Sequence, residues 1–246
     1  MMRMTGNGAA APNWGSWHLT EVGIVVAGLG FAVLLANWPR LMARQRYLLS
    51  LALGATVLLL SSDVQALSMS SYPCHMVDHL IVVLLIAPLL AGASNIRVSR
   101  SLSTIGFLAF TLLVPLFHLT PLGSWVMRYP EGHYFELATF LVVGVWFWIP
   151  VYGSRRTLGD QQRITYTVLA VPIIATTGLV LWSATASSLH SVGMDMSNIT
   201  IVDVRDGGLV MMVLGTILMV AHVALLCLQA ALRQRTSRIP VGLKYA

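Results

Sequence analysis

Seven apolar runs, at roughly 20–37, 47–65, 72–91, 102–121, 134–152, 165–187 and 208–230, take up more than half of this chain. Each is close to the ~20 residues a helix needs to cross the hydrocarbon core of a bilayer. The runs do not alternate apolar and polar residues as barrel strands would, which leaves the helix as the structure that satisfies its own backbone in lipid. The runs therefore predict an all-α polytopic membrane protein, a bundle of about seven transmembrane helices. Short connectors leave no room for a separate soluble unit, so residues 1–246 read as a single domain. Within it, 1–19 is expected to be a flexible outer segment and 231–246 a basic cytoplasmic tail. Composition supports this solvent assignment, because 57% of residues are apolar and only 10% charged, against about 25% charged in an ordinary soluble domain.

A net charge of +6 could suggest a nucleic-acid partner, but the distribution of charge points elsewhere. With the N-terminus placed outside, segments 38–46, 92–101, 153–164 and 231–246 become cytoplasmic and carry twelve of the fifteen Lys and Arg residues. Arg3, Arg128 and Arg205 are left on the other side. Such an asymmetry is the positive-inside pattern, and it predicts an outer N-terminus and a cytoplasmic C-terminus. No nucleic acid is implied. No short apolar segment of the signal-peptide kind precedes the first run, which can itself serve as the insertion signal. Cys74 and Cys227 are predicted near opposite membrane ends, roughly 25–30 Å apart by helix rise. That is too far for a disulfide, whose Cα atoms lie within about 7 Å.

On this topology the polar residues collect at one level. His18, His75, His79, His118, His133 and His190 fall at the outer ends of spans, and His222 alone sits deeper. Asp63, Asp78, Glu136, Asp203 and Asp206 share that outer level, with Cys74 and Met69, Met76, Met127, Met194 and Met196. Ionisable residues in spans are costly and mark functional paths. In Cys74-His75-Met76-Val77-Asp78-His79 the two histidines, four apart, stack on one helix face. Cys74 and Asp78 form a parallel pair about 100° round. Alone, such a pair is ordinarily interfacial; with His118 and His133 at the same depth, a metal site becomes the better reading. Imidazole suits copper, zinc and iron, while thiolate and thioether favour Cu(I), so the candidate ligands are His75, His79, His118, His133, Cys74 and Asp78, for Cu(I).

Other polar groups have simpler readings. Glu136 shares a face with His133 and is expected to orient a histidine or meet solvent rather than ligate a soft ion. His190, Met194, Asp195 and Met196 resemble a weak capture site but are more ordinary as loop sequence. Asp203 and Asp206 suit a helix N-terminus, and Gly207-Gly208 would admit a close neighbouring helix. Trp125, Trp146, Trp148, Tyr72, Tyr129 and Tyr134 read as an aromatic belt. Met211, Met212 and Met219 read as packing, and His222 as an interhelical hydrogen-bonding residue rather than a haem ligand.

Several of these motifs recur together in one known family. Ser61-Ser62-Asp63-Val64-Gln65-Ala66-Leu67, then His75-Met76-Val77-Asp78-His79 and Ala87-Pro88-Leu89-Leu90, are similar to stretches of the CtaG-type cytochrome c oxidase assembly factors. His118 with its flanking prolines, His133, Trp148-Ile149-Pro150, and Asp203 followed by Gly207-Gly208 and Met211 recur in order. Where the family commonly carries a second histidine after the one matching His133, Glu136 or its neighbours stand here. The resemblance implies a multi-pass protein of the bacterial plasma (inner) membrane that handles copper for a copper-dependent oxidase. Its partners would be an oxidase subunit or a copper chaperone, besides membrane lipid. Such a metallochaperone requires no turnover chemistry. The alternatives are a copper subunit of a membrane monooxygenase, a haem-bearing electron carrier, and a structural subunit of a respiratory complex.

Overall fold

In the computed structural model, which describes residues 20–123, 130–155, 157–191 and 200–237, regular structure is helical, with no strand among those residues. The order is α1 (Glu21–Asn37), α2 (Ala43–Leu59), α3 (Ser62–Ser70), α4 (Tyr72–Ala93), α5 (Arg100–His118), α6 (Pro130–Tyr152), α7 (Asp160–Trp182), a short α8 (Ala186–Ser191) and α9 (Ile201–Ser237). Six of these, α1, α4, α5, α6, α7 and α9, are long and apolar enough to cross a membrane. The chain is thus an all-α, multi-pass membrane protein. With 17 residues, α2 stands at the lower end of the spanning range.

The second apolar run, expected at 47–65, is not one helix. Helix α2 stops at Leu59, Ser61 is extended, and α3 starts afresh at Ser62. Polar side chains occupy the carbonyls exposed by this break, as a buried helix end requires. Gln65 Nε2 donates to the Leu59 carbonyl at 2.8 Å, and Thr20 Oγ1 donates to that of Leu60 at 2.9 Å. Thr20 also caps α1 by accepting from Gly23 N at 3.0 Å. The last run begins earlier than its apolar stretch, at Ile201. Thr200 Oγ1 accepts from Asp203 N at 3.1 Å, while Asp203 Oδ2 accepts from Thr200 N at 3.0 Å. This reciprocal capping box is the role expected of Asp203.

Helix α4 is the axis of the bundle: 72% of its most apolar window is buried, against 11% for the peripheral α1. It contacts α6, α9 and the α2–α3 segment, and α9 in turn packs along α7. The close approach of α7 and α9 depends on glycine, as the Gly207-Gly208 pair suggested. A Cβ on Gly178 would lie 2.6 Å from Met212 N, and one on Gly208 would lie 2.5 Å from Trp182 N, so the backbones themselves are in contact. At Gly207 the neighbour is the ring of Tyr72, at the start of α4.

The middle of α4 widens into a π turn over Val82–Ile86, where Ala87 N bonds Val82 O. That shift leaves the Val83 carbonyl without its helical donor. One residue on, Pro88 has no N–H to offer Leu84. Two other helices supply the missing donors. Trp148 Nε1 donates to Val83 O at 2.7 Å, and His222 Nε2 donates to Leu84 O at 2.9 Å. His222 Nδ1 then accepts from the Tyr152 hydroxyl at 2.8 Å. His222 is therefore the interhelical hydrogen-bonding residue expected. Trp148 and Tyr72, expected in an interfacial belt, are instead buried in the core. Replacing Trp148 with Phe should strand the Val83 carbonyl in the bundle and cost about 1–3 kcal/mol. Thermal unfolding in detergent would check this, and an unchanged midpoint would contradict the role.

Interhelical bonds also gather the basic connectors at one end. Gln45 Nε2 donates to Ala93 O at 2.9 Å, and Ser154 N donates to Ser94 O at 3.2 Å. These bonds bring the start of α2 and the ends of α4 and α6 together. The histidine-bearing ends of α4, α5 and α6 lie at the opposite end.

Candidate metal centre

Three helices build the centre. Helix α4 presents His75 and His79 from successive turns, as their spacing of four requires. Helix α5 ends on His118, where Leu119 N bonds Pro115 O at 2.8 Å, and α6 brings in His133 and Glu136 from its first turns. All five side chains are buried, Glu136 being only 1% exposed. Among the described residues, this is where four of the histidines predicted at one level meet.

The four imidazoles form a row that turns through about a right angle at His75, where the rings of His79 and His133 lie 6.4 Å apart across the bend. Ring centroids are 5.2 Å apart from His118 to His79, 4.5 Å from His79 to His75, and 4.7 Å from His75 to His133. Glu136 lies alongside it. Its Oε2 is 3.1 Å from His75 Nε2, 3.4 Å from His79 Nε2 and 3.9 Å from His133 Nδ1, close approaches that are not aligned as hydrogen bonds. His75 and His79 face each other Nε2 to Nε2 at 2.9 Å, which in neutral rings means that one donates and the other accepts.

Supporting groups orient the outer rings. His118 Nδ1 donates to the Val114 carbonyl at 2.7 Å, which leaves Nε2 as the lone-pair nitrogen, buried and without a hydrogen-bond partner. His133 Nε2 faces Ser68 Oγ at 3.4 Å and Asp78 Oδ2 at 3.7 Å, and its Nδ1 faces Glu136. An imidazole held by one nitrogen and offering the other is the arrangement seen around bound metals. A cavity of about 20 Å³, lined among others by Met76, His79, His118, Phe140 and Met211, adjoins the row. The thioether side chains there belong to residues that sequence had placed at the outer level (Met76) or assigned to packing (Met211).

Not every sequence candidate converges. His75, His79, His118 and His133 do, and Asp78 stands behind His133. Cys74 is partly exposed and belongs to neither group of converging ligand atoms, since it projects about 100° round the helix from His75. Glu136, expected to support a histidine or to meet solvent, is buried at the middle of the cluster and shared by both groups. His18, Trp125, Met127, Tyr129, Met194, Asp195, Met196 and the side chain of His190 lie outside the described residues.

Fold and site together define a multi-pass helical membrane protein with a buried histidine–carboxylate centre at one end. The family model for the cytochrome c oxidase caa3 assembly factor (Caa3_CtaG) matches residues 95–233, more than half of the chain, and the chain belongs to that family. His118, His133 and Glu136 fall within the matched residues, while His75 and His79 precede them. No curated protein and no solved structure matches the chain. As a family of assembly factors, it places this protein with a cytochrome c oxidase or its subunits.

Proposed function

We propose that the protein carries copper, taken up as Cu(I), to a copper-dependent cytochrome c oxidase, and that copper is bound among His75, His79, His118, His133 and Glu136. The observation that carries this reading is the row of four buried imidazoles beside one carboxylate, in a member of an oxidase-assembly family. Imidazole is a good ligand for copper, and a set of neutral rings lets an ion leave by ligand exchange without breaking a closed thiolate cage. Copper is cargo here, so no turnover chemistry is needed.

The charge asymmetry supports an orientation in which the arginine-rich end is cytoplasmic and the histidine end faces outward. The whole chain then acts as one transmembrane domain, with α2 as a seventh span. Asp78 and Ser68 position His133, and Val114 positions His118. Metal analysis and a visible spectrum of the detergent-purified protein test the reading. Copper should be retained by the parent after Cu(I) loading, with no haem band, and lost from the His75→Ala/His79→Ala double variant while the protein still inserts. Copper retention by that variant, or none in the parent, would overturn the proposal.

A further inference from the structure

The row has more donors than one ion can use, and their arrangement decides how they divide. At the middle of the row His75 Nε2, His79 Nε2 and Glu136 Oε2 lie within 3.4 Å of one another. The outer rings extend this cluster into two sets of ligand atoms, His75 with His133 and Glu136, and His79 with His118 and Glu136, each with its atoms within 4.8 Å of one another. Among the described residues His118 makes ring contact with His79 and with neither His75 nor His133, in keeping with its place in the second set. Glu136 is the member common to both sets.

We propose that the centre has two copper positions side by side, one on His75 and His133 and one on His79 and His118, joined by the Glu136 carboxylate. This inference rests on the copper reading above and adds the count and the division of ligands. A carboxylate can ligate two ions at once, and an anion between two cations reduces their mutual repulsion. All four rings carry a buried nitrogen without a hydrogen-bond partner, His79 Nδ1 and His118 Nε2 in one set and His75 Nδ1 and His133 Nδ1 in the other. Each outer ring is locked by its other nitrogen, His118 on Val114 O and His133 near Ser68 and Asp78. The two positions also differ in surroundings. The His79–His118 pair borders the cavity that Met76 and Met211 line, and the His75–His133 pair borders Asp78.

Equilibrium dialysis of the detergent-purified full chain against Cu(I) under argon, followed by metal analysis, tests the count. The parent should saturate at two coppers per chain. His118→Ala and His133→Ala, each eluting from size exclusion as the parent does, should each saturate at one, a twofold fall. One copper per chain in the parent overturns the two-position inference and leaves the copper reading standing. No copper in the parent overturns both. A folded outer-ring variant that still binds two, or that binds none, also overturns the division of ligands, because each removal should empty its own position alone.

Discussion

Glu136→Gln is expected to abolish copper retention while leaving the metal-free protein at least as stable as the parent. The two effects have opposite signs for one reason. In the metal-free centre Glu136 is a buried carboxylate among imidazoles, with no aligned hydrogen bond to the atom nearest them. Removing a charge from water costs several kcal/mol, and replacing a buried ionic group with a neutral group of similar shape is often neutral or stabilising. The amide keeps the shape and removes the charge, so the apo protein loses little. For a bound cation the same change removes the anion shared by both ligand sets. Loss of a group that merely orients a ligand typically costs 10–100-fold in metal affinity, so loss of this one should cost ~100-fold or more at both positions. Thermal unfolding of the metal-free protein and Cu(I) titration against a chelator read the two effects separately. A variant that binds copper as the parent does would show that Glu136 plays no part in holding the ion.

This arrangement was only partly legible in the sequence. Helix class followed from run length, and the pairing of His75 with His79 from their spacing, because both are properties of a single helix. His118 and His133 could be placed at the right depth by counting residues along their spans. What one helix cannot reveal is rotation about its axis relative to its neighbours. Glu136, three residues from His133, was therefore visible as a partner of that ring but not as the group reaching His75 and His79 on α4. Cys74 shows the reverse: its depth matches that of the histidines, and its angular position on α4 sets it apart from the converging ligand atoms. The π turn of α4 left a weaker trace. Pro88 signalled one missing donor, but nothing in the local sequence named Trp148 and His222 as the groups that complete Val83 and Leu84. The break at Ser61 was hidden within an apolar run, since hydropathy measures burial and not backbone continuity.

Charge counting does not reveal what Arg163 joins inside the bundle, and its replacement should produce the opposite pattern to that of Glu136. It was counted among the cytoplasmic charges that set orientation, yet it lies inside α7 and is 1% exposed. Its guanidinium ties three elements together. Nε donates to the Val151 carbonyl at 2.7 Å, Nη1 to Asp160 Oδ1 at 2.9 Å, and Nη2 to Gln229 Oε1 at 3.2 Å. Val151 is in the last turn of α6, where carbonyls have no helical donor, so Arg163 completes that helix end from a neighbour. Arg163→Met should cost about 3 kcal/mol, at the low end for a broken buried ion pair, because Asp160 keeps Arg233 at 2.8 Å and is partly exposed. Lysine should recover little of this, since a single ammonium lacks the planar fork that meets three acceptors in different directions. The metal centre lies at the opposite end of the bundle, so copper content per folded chain should be unchanged. The expected result is a lowered unfolding temperature in detergent with parental copper stoichiometry. An unchanged unfolding temperature would mean that Arg163 is a topological charge after all, and lost copper would mean that the two ends of the bundle are coupled.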